Sequence, residues 1–409
     1  MLKRGPILLA GILAGILPCG AATSQTASTV LNNQVQLGDV FSQQTLNVET
    51  VTDSTTANTT ATANVYAAST DGSDLDVRSN QTSSGDVVAD TVLNVGANSG
   101  AATNLTTTAG GNLGDASIYG GTLTGVFNQA TTASTLYAHS HIEAPDAQAG
   151  DVATSTQAVA NNQNLGVSVA AAGVRVNQAN AGTAYSDGGG VYGLVTGTAE
   201  MTAGAMGNNV SLSGDGGSGV RMIADQQNTA DTTHASHFTA FGQVQDAKTT
   251  AIAAGNNLNA VNEGYLLDAT VNQGNQAYVR AQAESSAANF GAGAAVSSGV
   301  GNSAVMGDIG GEVVIDNTQF NEGGGIEAVA AWTGGEGYDG LASATATGNS
   351  AVGYSCADCS GRLTVANSQS NTVDVGATAT ATMTTGRSVS GVANAVGNTA
   401  TYYVSRPGE

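Results

Sequence analysis

Aromatic residues make up only 4% of this 409-residue chain, which also holds just four prolines, three cysteines and ten basic residues. Each scarcity excludes something. With so few large side chains, a core of Ala, Val, Thr and Gly can only be thin, which suits closely stacked layers better than a thick globular interior. Pro6, Pro18, Pro145 and Pro407 leave backbone NH groups free nearly everywhere. Collagen-like and polyproline structures are thereby excluded, and long hydrogen-bonded ladders are permitted. The ten basic residues face 31 acidic ones, a net charge of −21. That surface repels nucleic-acid phosphates and anionic lipid head groups, so no nucleic acid is expected as a partner. Past the N-terminus no apolar run is long enough for a transmembrane helix, and the aromatic girdles of an outer-membrane barrel are missing.

What the chain has in abundance is repetition. Residues 346–352 read A-T-G-N-S-A-V, with near-copies at 300–305 and 396–400. The same Asn recurs at Asn64, Asn112, Asn161, Asn208, Asn256, Asn302, Asn349 and Asn398, in steps of 46 to 49 residues. A second mark keeps phase with it: Asn33-Gln34, Asn80-Gln81, Asn128-Gln129, Asn177-Gln178, Gln226-Gln227, Asn272-Gln273, Thr318-Gln319 and Ser368-Gln369. A fixed period of this length is the signature of a repeat array. Disorder would not require a phase held over eight repeats.

Within each repeat small apolar and polar residues alternate, as in V-D-V-G-A-T-A-T-A-T-M at 373–383, which marks strands with one buried face. Each repeat also divides into two similar pieces, 366–371 resembling 393–398. The fold class expected is therefore all-β, an elongated β-solenoid of about eight repeats of ~48 residues with two rungs per repeat. Sixteen rungs would make a rod on the order of 75 Å long. Asn302, Asn349 and Asn398 should form a structural ladder along the axis, each two rungs from the next, with Asn or Gly supplying left-handed corners. Residues 141–150, 187–190, 213–219 and 334–340 carry turn residues and charge, and read as protruding corners.

The N-terminus reads as an export signal at residues 1–22: Lys3 and Arg4, an apolar stretch from Ile7 to Leu17, then small residues. The repeat solenoid follows over 23–404 and a tail over 405–409. Cys19 opens the alternative of a lipoprotein, against which Pro18 is a poor fit. Cys356 and Cys359 form a C-x-x-C pair that in an exported protein reads as a small disulfide.

Three groups invite a chemical reading. His139, His141 and Glu143 would share one strand face as metal ligands. His139 and His237 each lie ten residues after a Gln mark, which places them at equivalent positions too far apart to share an ion, and so favours plain surface histidines. Asp71, Asp74 and Asp76 have the composition of a calcium loop without its spacing, and read as an acidic corner. No nucleophile elbow, phosphate loop or dinucleotide fingerprint occurs, so no catalytic, cofactor-binding or metal residue is assigned and no cofactor is expected.

With its signal-like start M-L-K-R-G-P-I-L-L-A-G, its G-N-S-A and N-Q marks and its acidic Ala/Thr/Gly/Asn composition, the chain resembles the exported, repeat-rich holdfast attachment proteins of stalked alphaproteobacteria, in particular their D component. The resemblance implies a non-enzymatic adhesin or anchor at the cell surface, associated with the outer membrane. Its implied partners are an adhesive polysaccharide, other holdfast anchor proteins and a curli-like outer-membrane secretion channel. The G-N-x-A marks are also similar to those of curlin subunits, although the Gln marks here fall much further from the Asn. Two alternatives stand beside the anchor: a β-helix enzyme acting on polysaccharides, and a curli-like matrix protein that self-associates into amyloid.

Overall fold

Residues 27–132, 134–356 and 361–405 are described by the structure, a computed structural model. The proposed signal, Cys19, Cys359 and residues 406–409 lie outside that range. Every element is a strand, and all pairing between strands is parallel, as expected for a β-solenoid. Eight rungs begin at Ser28, Leu75, Thr122, Ala171, Gly219, Leu266, Glu312 and Arg362.

Within a rung the chain makes three passes. The first rung shows them separately as Ser28–Gln36, Val40–Thr50 and Ser54–Asp71. In the fourth the second and third passes run together as Thr183–Asp215. The first passes stack into one sheet of eight strands, while the second and third passes share a sheet of thirteen.

The rung count differs from expectation. Ser28 pairs with Leu75 and Asn302 with Asn349, so neighbouring rungs lie one whole repeat apart. A rung is therefore a repeat of about 48 residues, not half of one, and eight rungs give a rod on the order of 40 Å long. The two similar pieces of each repeat do not stack on each other. They occupy the first and third passes of the same rung and face each other there: Gln369 Nε2 donates to the Thr399 carbonyl within rung eight, while Asn349 Nδ2 of rung seven donates to the Ser370 carbonyl of rung eight. Their likeness comes from this shared task.

The third pass bends at its Gly-Asn step. In Asp339–Cys356, Ala342, Ala344 and Ala346 point inward before the bend, and Asn349, Ala351 and Gly353 after it, so the alternation changes phase. The pairing skips Gly348 and resumes at Asn349. Glycine is required here by crowding, since a Cβ on Gly348 would lie 2.3 Å from the Gly397 carbonyl oxygen. The left-handed backbone expected at this corner is not used: among the described residues the non-glycine positive φ is that of Val169.

The core is as thin as the composition requires. Ala89, Ala138, Ser186, Ala235, Ala281, Ala328 and Ala377 stand in one register row through seven rungs. Trp332, the one tryptophan of the chain, is fully buried, and the glycine at 293 leaves room for its ring. The described proline, Pro145, sits where three residues of rung three oppose one of rung four, a bulge that tolerates its missing NH.

Candidate functional site

Two ladders of amides run the length of the rod. Asn64, Asn112, Asn161, Asn208, Asn256, Asn302 and Asn349 each pass one Nδ2–H to the Oδ1 of the Asn in the next rung, ending at Asn398, at 2.7–2.8 Å. Asn302, Asn349 and Asn398 thus lie on one line, one rung apart. The second Nδ2–H of the first seven reaches a backbone carbonyl, from Thr82 O in rung two to Ser370 O in rung eight. Because only an NH₂ can face a carbonyl, that contact fixes which way each amide points. A row of Gln residues, from Gln34 through Gln81, Gln129, Gln178, Gln226, Gln273 and Gln319 to Gln369, donates in the opposite sense, toward the rung before. Most of these side chains are buried, so the ladders hold the rungs in register and, between the two end rungs, leave nothing free to bind a ligand.

The Gln row also corrects the alignment at 226–227. Gln178 pairs with Gln226, so the mark there is Asp225-Gln226. One residue of slip exchanges inside for outside. His139 is therefore not equivalent to His237: it pairs with Asp187, and Asp187 with Ser236. His139 points outward, whereas His237 is fully buried, with Nε2 3.1 Å from Thr154 Oγ1 and Nδ1 without a partner. Burial pushes the His237 pKa down to about 3. Gly188 makes room for it, as a Cβ there would meet His237 Cδ2 at 2.4 Å.

The other candidate groups resolve into local partnerships. His139 Nδ1 lies 2.7 Å from Asp90 Oδ1, and His141 Nε2 lies 3.3 Å from Glu143 Oε2. The two rings stack 6.3 Å apart and do not converge on one point with Glu143. Of the three aspartates read as a corner, Asp74 accepts a hydrogen bond from the Thr122 NH of the next rung. Asp39, Asp86, Asp151 and Asp246 do the same for their own upper neighbours. The recurring acids at corners thus brace backbone, a role the residue list alone did not reveal. Cys356 ends a strand, and the disulfide expected with Cys359 falls outside the described residues.

What the structure does assemble is a groove on the outer surface of the second passes, across rungs three to seven, with a volume of about 470 Å³. Its floor is the run 187–190, which lies flat in a strand and does not protrude. Gly189 occupies the outward position that His141 fills one rung below and Phe238 one rung above. The missing side chain opens a slot between those two rings. Beside it Tyr137, Tyr185 and His234 form an outward stack, with ring centroids 5.3 Å and 4.9 Å apart. Burial, together with the Asp187 charge, pushes the Tyr137 phenol up to about 12, and burial pulls His234 down to about 4.

Polar groups ring the slot. Ser236 Oγ donates to Asp187 Oδ1 at 2.9 Å, and Gln282 Nε2 to Glu284 Oε1 at 2.5 Å. The nearest cation, Arg280, is engaged by Glu327 at 3.2 Å. Arg175, Arg221, Arg362 and Arg387 are likewise paired with acids on adjacent rungs. The groove therefore offers ring faces, hydroxyls and carboxylates, and no uncommitted positive charge to hold a polyanion.

The family model for Holdfast attachment protein D matches residues 49–325, which cover rungs two to six, the third pass of rung one and the first pass of rung seven. A protein of Caulobacter vibrioides named Holdfast attachment protein D is 45% identical over 65 residues, which are 16% of this chain and 22% of that relative's length. No solved structure matches the chain. On the extent of the family match, the chain belongs to the Holdfast attachment protein D family.

Proposed function

We propose that this protein is a non-enzymatic anchor at the cell surface, associated with the outer membrane, that fastens an adhesive polysaccharide to the cell envelope through the groove over Gly188–Gly190. Export through a curli-like channel and work beside other attachment proteins belong to the same reading. Family membership supports the role, and the slot over Gly189 is the observation that carries the binding site. The rungs of His141 and Phe238 are two spacings apart, about 9.6 Å. A saturated ring in van der Waals contact with a side chain on each side takes up ~7–8 Å, so one sugar fits between them. Its C–H faces would meet the rings, and its hydroxyls would meet Asp187 and Glu284. The acidic, cation-poor surroundings select a neutral or amino-sugar chain over an acidic one.

Soluble neutral, amino-sugar and acidic glycans titrated against the purified protein test this. Phe238 is 42% exposed, and a Cβ on Gly189 meets nothing closer than the Phe238 carbonyl oxygen at 3.2 Å, so Phe238→Ala and Gly189→Trp should both fold. Each should weaken binding of the preferred glycan at least ~10-fold, since truncating a stacked ring or filling its slot costs 1–2 kcal/mol or more. Equal binding by both variants and the parent removes the groove from the argument. Turnover of any glycan, lost on replacing one carboxylate, replaces the anchor with the enzyme. Surface labelling and cell fractionation check the location.

A further inference from the structure

Both ends of the rod are open. Val30 and Leu46 in the first rung and Val365 and Ala381 in the last have their inner faces only half covered, where the same rows are sealed in the middle rungs. Among the described residues nothing lies over either end. The ladders finish with complementary vacancies. Asn64 Oδ1 accepts nothing at the first rung, and Asn398 Nδ2 donates nothing at the last. Gln34 Nε2 has one of its two hydrogens unused at the first rung, and Gln369 Oε1 accepts nothing at the last.

We propose that the ends dock on each other, the eighth rung of one molecule against the first rung of a second copy, in one polarity. Head to tail, Asn398 Nδ2 meets the partner copy's vacant Asn64 oxygen, and the vacant Gln34 hydrogen meets Gln369 Oε1. Both ladders then continue without a break. Tail to tail, NH₂ groups would face NH₂ groups and oxygens would face oxygens. The register rows add further matches. Following the pairing from rung to rung sets Val30 over Val365, Leu46 over Ala381, and Asp53 over Arg387, whose side chain is 71% exposed. In the core Leu46 meets the small Ala381 and Val30 meets Val365, and acid meets base at the rim. Three passes per rung would each gain a strand neighbour, which removes the unpaired edges. Such an interface joins unlike surfaces and does not close on itself, so it generates a filament with an axial repeat on the order of 40 Å.

Cysteine pairing reads the polarity directly. The rows place Phe41 over Gly376, both facing outward; Phe41 is 63% exposed, and a Cβ on Gly376 meets nothing within 4 Å. In a background with Cys19, Cys356 and Cys359 changed to Ser, Phe41→Cys and Gly376→Cys chains are purified separately, mixed and oxidised. Their Cα atoms would be about 4.8 Å apart, within disulfide range. The mixture should give a disulfide-linked dimer that neither variant gives alone. The double variant should give a ladder of higher multimers and filaments seen by electron microscopy. Equal cross-linking within each single variant would overturn the polarity. A chain that sediments as a monomer at every concentration, because its own terminal residues or another protein cap the ends, would overturn the docking itself.

Discussion

Replacing Asn208 by Ala should cost far more than the same change at Asn398, although both belong to one ladder. Asn208 is fully buried; its Oδ1 accepts from Asn161 at 2.8 Å, and its Nδ2 donates to Asn256 Oδ1 at 2.8 Å and to the Gln227 carbonyl at 2.9 Å. Truncation strands one donor and two acceptors in a dry interior. At ~1–3 kcal/mol for each of the three buried groups left without a partner, the loss is about 3–9 kcal/mol. Asn398 is exposed and takes part in one bond, from Asn349, so water replaces what is lost and the cost is about 0.5–1.5 kcal/mol. Urea unfolding followed by far-ultraviolet circular dichroism measures the difference. Hydrogen exchange should place the damage in rungs four and five, since a repeat array fails locally. Asn208→Leu fills the space without restoring the bonds and should remain destabilised. Should Asn208→Ala and Asn398→Ala fall within ~0.5 kcal/mol of each other, the ladder would not be a stabilising network and the reasoning fails.

Burial of His237 predicts a loss of stability in acid. Its folded pKa of about 3 lies below the ordinary value, so the unfolded chain takes up a proton first. Stability is then complete above about pH 6.5 and is lost as pH falls toward 3, with about 2 kcal/mol gone between pH 7 and pH 5. Urea midpoints across that range should flatten in His237→Gln, and an unchanged slope would contradict the assignment. Gly293→Ala should strain rung seven, since its Cβ would lie 1.8 Å from Trp332 Cζ2. Overpacking of this kind costs about 1–3 kcal/mol, and the single tryptophan should report it as a red-shifted emission.

The period and phase of the array could be read from Asn and Gln alone, because both residues are held at fixed rung positions by bonds that no other side chain length would make. The rung length could not, since the two halves of each repeat resemble each other for a reason other than stacking. The alignment at 226–227 failed because Asp225 stands where most rungs have Asn. There the residue need only accept from Asn272, at 2.8 Å, and a carboxylate does that as well as an amide. The groove stayed hidden because the glycines at 188–190 carry the same local signal as a turn. Gly188 is small for the sake of His237 in the next rung, and Gly189 for the space outside the wall. Neither reason is visible within five residues of sequence.

The opposed sense of the two amide ladders bears on how such a rod could grow over generations. A row of amides all aligned one way builds a dipole that lengthens with every rung and strengthens its own bonds as it does so. Here each added rung contributes one amide pointing up the axis and one pointing down. The two contributions largely cancel, so an eight-rung and a twelve-rung version would differ little in the electrical character of their tips. Duplication or deletion of a whole repeat is then a nearly neutral change at the ends, and length becomes free to follow whatever distance the rod has to bridge.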